Sequence, residues 1–499
     1  MARIDYLPLR RTDVSLAQQV VAPHANTIAL LVGSALFMQM LDATIVATAL
    51  PQMAVSLRED PLSMSVVLTS YLVALTALIP VSGWLADRFS ARTVFLGAVA
   101  TFAVSSAICG LAPSLNSLVA ARLVQGAAGA LTAPIGRILI LRSAPKSQLL
   151  KAMSYLAVPA LVAPAMGPPI GGFIVVHASW RWIFLINLPI GAVALIVSAL
   201  VLKPDRGDPS APLDLRGLLL CTAALTALLF GLQDLSLITS SSVTAVPLLT
   251  IGLLCATAYV AHARNKPNAI LDLSLLNIST YKISVIGGNL CRFSLGAFPF
   301  LLTLLLQIGW GLDPFHAGLI AFATALGSIA VRFIVSPAVR VFGFRYVLVG
   351  NSLLAGLLIS SCTLFEKSPS RALVALLLFA IGFFRSLQLT VANTLGYADI
   401  PERSIARATS VASVAQYLAF TAGIPVSAFI VRLSATTAGV TQITTHDINI
   451  GIIAVGSLFA VSSLVFVHLP HHAGSELIDS NESVRGNLRD SHLTTRTPP

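Results

Sequence analysis

Charge is scarce in this chain. Of its 499 residues only 10% are Asp, Glu, Lys or Arg and 56% are hydrophobic. With a mean hydropathy of +0.86, too few polar side chains remain to solvate a water-soluble domain of this length. Cysteine is also sparse. Cys109, Cys221, Cys255, Cys291 and Cys362 all lie inside apolar runs without metal-ligand spacing, and read as small apolar side chains rather than a disulfide frame or a metal site. Nothing resembles a nucleotide-binding loop, a zinc site or a nucleophile-base pair, so neither ATP-driven work nor an enzyme is indicated. The first 24 residues carry Arg3, Arg10 and Arg11 but no short apolar core with a small-residue cleavage site, so the first hydrophobic run is expected to be a retained span.

What is present is a series of apolar runs of roughly 20 residues, the length of α-helix that crosses about 30 Å of hydrocarbon. They do not alternate as barrel strands would. Breaks at charged or Pro/Gly-rich points predict fourteen spans, near 26–50, 63–86, 93–113, 117–141, 151–176, 182–202, 215–235, 245–262, 281–306, 316–338, 345–364, 371–394, 407–432 and 449–468. With a cytoplasmic amino terminus, the internal loops hold fifteen Lys and Arg, among them Arg88, Arg92, Arg142, Lys146 and Arg345, and the external loops five. That asymmetry predicts both termini inside a bacterial inner (plasma) membrane. It also accounts for the net charge of +11 without nucleic acid, because the bases are scattered through short loops. Trp180, Trp182 and Trp310 fall at the outer interface and Trp84 at the inner one. The residues from Pro470 onward read as a disordered tail, and His468, His471 and His472 as interfacial.

An internal repeat organises the runs. Gly83 to Gly97, "GWLADRFSARTVFLG", aligns with Ser336 to Gly350, "SPAVRVFGFRYVLVG". Arg122-x-x-Gln125 aligns with Arg385-x-x-Gln388, and Pro145 to Ser154 with Pro401 to Ser410, at offsets of 253, 263 and 256. Ordered matches at nearly constant offset predict two homologous six-span halves with two spans inserted between them. The expected organisation is a cytoplasmic segment 1–25, a first bundle 26–203, the inserted pair 204–264, a second bundle 265–469 and a cytoplasmic tail 470–499. Two related bundles rocking about a central site are a transporter design.

Charges within spans are few enough to weigh singly. Asp42 is the one carboxylate deep in a span, and Arg122, Arg292, Arg332 and Arg385 are the bases. Each costs roughly 2.5 to 3.5 kcal/mol at mid-bilayer on the insertion scale, so all are expected to face the interior, a cavity or the interface. A purely structural role, with Arg122 bonded to Gln125 and Arg385 to Gln388, stands beside a role on a substrate or proton path. Asp42 suits proton loading and release; helix packing beside Thr44 is the alternative. In "APAMGPPIGG", Ala163 to Gly172, Pro168 and Pro169 are expected to kink the helix, and Gly167, Gly171 and Gly172 to allow close packing at a pivot.

These stretches resemble the Major Facilitator Superfamily, and within it the fourteen-span drug:proton antiporter branch (DHA2-like). "GWLADRFSAR" is similar to the loop motif between spans 2 and 3, "RLVQGAAGA" to the span 4 motif and "GPPIGG" to the span 5 antiporter motif. "LDATIVATALP", Leu41 to Pro51, and "WRWIFLINLPIG", Trp180 to Gly191, resemble the signatures of the fourteen-span branch. Ser90 and Ala91 depart from the loop motif, where a Gly and a basic residue are usual, and Ala47 stands where Asn is usual.

The resemblance implies an all-α integral membrane protein with the major facilitator fold. It further implies a proton-coupled exporter of small amphipathic compounds, acting as a monomer in the bilayer, with the proton gradient as energy source and no cofactor or metal. Proton coupling would rest on Asp42, Arg122 and Gln125. A gating loop would comprise Gly83, Asp87, Arg88, Arg92 and Arg142, with Asp87 as a latch. The substrate cavity would be lined by Arg292, Arg332, Arg385, Gln307, Gln388 and Asn393. Four arginines against one aspartate also admit a proton-linked transporter of an organic anion, and a non-transporting sensor is a third reading.

Overall fold

The computed structural model describes residues 11–143, 146–202, 214–237, 244–264, 266, 269–365, 370–401, 404–438, 442–470 and 473; among these the side chains of 11–26, 87, 141–161 and 406 lie outside the description. Fourteen long helices make up the bundle: α1 Arg11–Leu57, α2 Ser65–Leu78, α3 Ala91–Leu111, α4 Leu115–Ser143, α5 Lys146–His177, α6 Asn187–Val201, α7 Leu215–Leu237, α8 Ala245–Arg264, α9 Ser279–Leu304, α10 Pro314–Ala330, α11 Val335–Ser361, α12 Arg371–Gly396, α13 Ile405–Thr437 and α14 Thr445–Phe466. Among the described residues thirteen stretches are long and apolar enough to cross a membrane, α2 and α6 doing so as Ser65–Ala86 and Trp182–Val201, and α5 contributes a shorter apolar segment, Val162–His177. Helix is what such sequences must form, because in hydrocarbon every backbone N–H and C=O has to be satisfied within its own segment. Starts are marked by ordinary chemistry: Asp313 accepts from Phe315 and His316 N–H ahead of Pro314 on α10, and Thr444 with Asp447 forms a capping box on α14.

The two halves pack alike. In the first, α1 lies on α5, α3 on α4 and α6, and α2 on α4; in the second, α9 lies on α13, α11 on α12 and α14, and α10 on α12. The halves meet along two seams, α5 with α10 and α2 with α13. Among the described residues the inserted pair α7 and α8 covers the second seam, where α7 packs on both α2 and α13. There Thr222 donates to the Ala77 carbonyl at 3.1 Å and Gln233 to Ser65 Oγ at 3.1 Å.

The repeat reaches backbone detail. After α2, a 3₁₀ turn, Ile79–Val81, leads into a short helix, Ser82–Phe89, which ends at Ser90 with φ 79° before α3 begins. The corresponding break within α11 is Gly343, with φ 76°. The span 5 prolines do not end their helix, which runs through them from Lys146 to His177. Chain direction places the starts of α1 and α9 and the end of α14 at one face, here the terminal face. The opposite face carries the α1–α2 and α13–α14 connections and is the far face.

Candidate functional site

Asp42 projects from the middle of α1 into the interior of the first half and is fully buried. Arg122 and Gln125, one turn apart on α4, present their side chains on the same helix face and both reach it. Arg122 Nη1 lies 2.5 Å from Asp42 Oδ2, and Gln125 Nε2 donates to Oδ1 at 3.0 Å. Asn187, the first residue of α6, donates to the same Oδ1 at 2.9 Å and to Ser106 Oγ at 3.0 Å. Arg122 also donates through Nε to the Val67 carbonyl and through Nη1 to Gln125 Oε1, and its guanidinium stands 4.3 Å from the Tyr71 ring centroid. Every partner of the carboxylate is a donor, which matches the acceptor-only chemistry of an ionised Asp. A proton on Asp42 would exchange one acceptor site for a donor and break a bond of this network.

Tyr71 and Arg122 form part of the wall of a cavity of about 610 Å³ between the halves, lined by residues of α1, α2, α4 and α5 on one side and α9, α10, α12 and α13 on the other. Its first-half wall is mostly apolar, with Leu68, Leu72 and Leu75 beside Gln39, Thr44 and Thr48. Its second-half wall carries Arg292, Arg385 and Asn393 among Phe298, Phe300 and Phe420. Arg292 donates to Asn289 Oδ1 at 3.4 Å and to Asn393 Oδ1.

On the far side of the cavity the halves are joined. Gln307, in a π-helical turn at the end of α9, donates to the Thr48 carbonyl at 2.8 Å and accepts from Gln52 at 3.1 Å. Asp60, in the α1–α2 connection, pairs with Arg432 of α13. Along the α5–α10 seam, Gly172 lies against Pro314 and Gly318 against Pro168, so closely that a Cβ on either glycine would come within 2.2 Å of the facing carbonyl oxygen. Gly167 and Gly171 face α1 instead, at Thr44 and Ile45.

The expected sites are thus only partly brought together. Asp42, Arg122 and Gln125 share one network, and Arg292, Arg385, Gln307 and Asn393 line one cavity. Two expected cavity residues lie elsewhere. Arg332 is exposed in the 3₁₀ turn after α10, because that turn ends the helix and directs the side chain outward at the terminal-face end. Gln388 is fully buried away from the cavity, accepting from Asn351 at 2.7 Å and donating to Ser352 Oγ at 2.8 Å, so it joins α12 to α11. The expected bond of Arg385 to Gln388 is replaced by one from Arg385 Nη2 to the Leu295 carbonyl at 3.4 Å. Of the loop residues, Arg92 donates to the Ala199 carbonyl at 2.9 Å, bracing the end of α6 within the first half. Gly83 has open space where a Cβ would stand, and Arg88 is half-buried. The side chains of Asp87 and Arg142 and the tail from 474 fall outside the described residues.

Comparison with known proteins decides the family. The Major Facilitator Superfamily model matches residues 32–289, more than half of the chain. The chain belongs to that superfamily. Among similar curated proteins is the "Putative multidrug resistance protein MdtD" of Serratia proteamaculans, 36% identical over 79% of this chain and 83% of that protein. Its namesake from Yersinia enterocolitica is 34% identical over 88% and 94%. Among solved structures, an auto-inhibited POT family peptide transporter superposes with a TM-score of 0.65 at 15% identity, covering 88% of this chain and 96% of that one. A D-xylose-proton symporter does so with 0.63 at 14%, covering 90% and 98%. At such identities these two show the shared fold.

This facilitator is therefore a multi-pass membrane transporter of small molecules, not an enzyme. Sequence reasoning missed several of its polar residues. Asn187 stands inside the quoted "WRWIFLINLPIG" stretch, where an amide within an apolar run was the available signal. Ser106, Tyr71 and Gln39 gave none, since single hydroxyls and amides are common in spans.

Proposed function

We propose that the chain is a proton-coupled exporter of small amphipathic molecules, seated as a monomer in a bacterial inner membrane with its terminal face in the cytoplasm. The observation that carries this reading is the Asp42–Arg122 pair, buried in one half, with Arg122 and the Tyr71 ring beneath it lining the central cavity. The fifteen-to-five distribution of Lys and Arg supports the orientation, and similarity to the multidrug resistance proteins supports the drug-like substrate class. The far side, joined through Gln52, Thr48 and Gln307 and through Asp60 and Arg432, is the closed side of the cavity, which supports reading this conformation as inward-facing.

Transport then follows from two linked events. Substrate enters the cavity from the cytoplasm, and the halves rock about the α5–α10 and α2–α13 seams until the far-face contacts part. A proton arriving from outside takes Asp42, releases Arg122 from its carboxylate and biases the return. One proton moving down 100 mV supplies about 2.3 kcal/mol, enough for roughly a fifty-fold gradient of a neutral solute. The test is substrate-dependent proton flux in proteoliposomes under an imposed pH gradient. Flux should be present in the native protein and absent in Asp42→Asn; undiminished flux in that variant overturns the assignment of Asp42.

A further inference from the structure

The first half answers its buried arginine with a carboxylate, and the second half does not. Arg122 and Arg385 sit on the fourth helix of their halves, each beside an aromatic ring, with Arg385 5.1 Å from the Phe298 centroid. Where Arg122 meets Asp42 from the first helix of its half, Arg385 meets from α9 the Phe298 ring and the neutral Leu295 carbonyl, and its Nε is buried without a hydrogen-bond partner. Arg292, one turn before Leu295 on α9, is likewise held by neutral groups, Asn289 and Asn393. Both arginines line the cavity, and they are only 7% and 5% exposed. Among the described residues lining it there is no Asp, Glu or His. Buried charges are normally paired, because removing them from water is otherwise expensive.

We propose that the cavity takes its substrate by an anionic head, a carboxylate held between Arg292 and Arg385, with the apolar body of the molecule against Leu72, Phe298, Phe300, Phe420 and Ile424. This rests on the cavity being the substrate site of an exporter and names the class of substrate. A guanidinium presents a planar fork of donors that matches a carboxylate in shape and charge. A cation entering the same cavity meets two like charges in a medium of low dielectric, with no described carboxylate free to compensate. Arg122 does not compete for the anion, since Asp42 already occupies it. The division of labour follows the repeat: the proton-linked carboxylate belongs to the first half and the anion-binding arginines to the second. Exchange of an anion leaving for a proton entering moves charge in one sense, so an inside-negative potential drives export.

The experiment is binding in detergent, which needs no gradient, with three probes that share one aromatic body: 2-naphthylacetate, 2-naphthylacetamide and 2-(2-naphthyl)ethylammonium. Calorimetric titration and thermal shift of the purified full chain should show binding of the carboxylate at least about ten-fold tighter than of the amide or the ammonium. Arg292→Gln and Arg385→Gln should each weaken it by about ten-fold or more. Arg292→Lys and Arg385→Lys, which keep the charge and lose the fork, should fall between, and they read the site if a glutamine variant does not fold. Equal or tighter binding of the ammonium, absence of carboxylate binding, or unchanged carboxylate affinity in all four variants overturns the proposal. The outcome is separable from proton coupling. Carboxylate binding without proton flux in proteoliposomes removes the coupling and leaves the anion site, and flux without carboxylate preference does the reverse.

Discussion

Ser90 and Gly343 adopt similar backbone conformations with positive φ and extended ψ, 79° and 138° for Ser90 and 76° and 160° for Gly343, at equivalent points of the two halves. Each joins a short helix to a long one, and they lie 253 positions apart, the offset at which the surrounding sequences align. Glycine reaches this region freely, whereas for serine it costs about 1–3 kcal/mol. Ser90 recovers part of that cost by capping, since its Oγ accepts from Thr93 N–H at 3.2 Å and donates to Thr93 Oγ1 at 3.0 Å.

Two substitutions separate the terms. Ser90→Ala keeps the strain and loses the cap, and should destabilise the protein by roughly 1 kcal/mol. Ser90→Gly relieves the strain while losing the cap, and should stay within about 0.5 kcal/mol of the native protein. Thermal unfolding in detergent measures both, and an alanine variant at least as stable as the glycine variant would contradict the argument.

The Asp42–Arg122 pair makes a prediction of different size for single and double changes. Asp42→Asn leaves a charged Arg122 buried among Val67, Gln125 and the Tyr71 ring, a situation that typically costs about 3–5 kcal/mol. Asp42→Asn combined with Arg122→Gln removes both charges and should recover more than half of that loss. Both variants should lack proton coupling. A double variant no more stable than the single one would show that the lone arginine is not what destabilises it.

Much of this was legible because charge in a membrane span is rare enough to mean something. The rarity of charge singled out Asp42 and Arg122, and the resemblance of "RLVQGAAGA" to the span 4 motif grouped them with Gln125. The two-half architecture was legible in the ordered repeat. Direction was not. Arg385 and Gln388 share the spacing of Arg122 and Gln125, yet Gln388 turns to Asn351 and Ser352, because α11 supplies polar partners at that height. Arg332 was misplaced for a related reason: a residue count puts it within a span, whereas the 3₁₀ turn at the end of α10 carries it to the outside. Asn187 escaped notice because an uncharged amide carries little weight until something buried needs its proton donor.

The inserted pair has its own electrostatic clasp at the terminal face. Asp214, ahead of α7, is contacted by His262 Nε2 of α8 at 3.0 Å and by Lys266 Nζ, just beyond that helix, at 2.8 Å, and it accepts from Gly217 N–H at 3.2 Å. Burial pushes its carboxyl up, but Lys266, the Gly217 N–H and His262 together hold it below the ordinary carboxylate value. A carboxyl depressed in the folded state contributes stability above its unfolded value and loses it as pH falls through the folded one. The native protein should therefore be more stable than Asp214→Asn throughout pH 5 to 8, with the gap narrowing below about pH 4. Thermal unfolding across that range checks it; a gap that widens on acidification would refute the assignment.

The α5–α10 seam yields the most mechanical prediction. Gly172 and Gly318 allow the backbones of the two halves to touch, since a Cβ on either would lie 2.2 Å from a carbonyl oxygen of the facing helix, and backbone at that point cannot step aside as a side-chain tip would. Gly172→Leu should hold the far face apart. Thr48, buried beneath the Gln307 contact in the native protein, would then become accessible from that side. Thr48→Cys carries the readout: a membrane-impermeant maleimide added on the far side should label it slowly in the native background and at least about ten-fold faster with Gly172→Leu, while transport falls. Gly97→Ala serves as the control, because nothing lies within 4 Å of the added methyl and alanine is the better helix former. Equal labelling of Thr48→Cys in the Gly172→Leu and native backgrounds would mean that the far-side closure does not depend on this glycine contact.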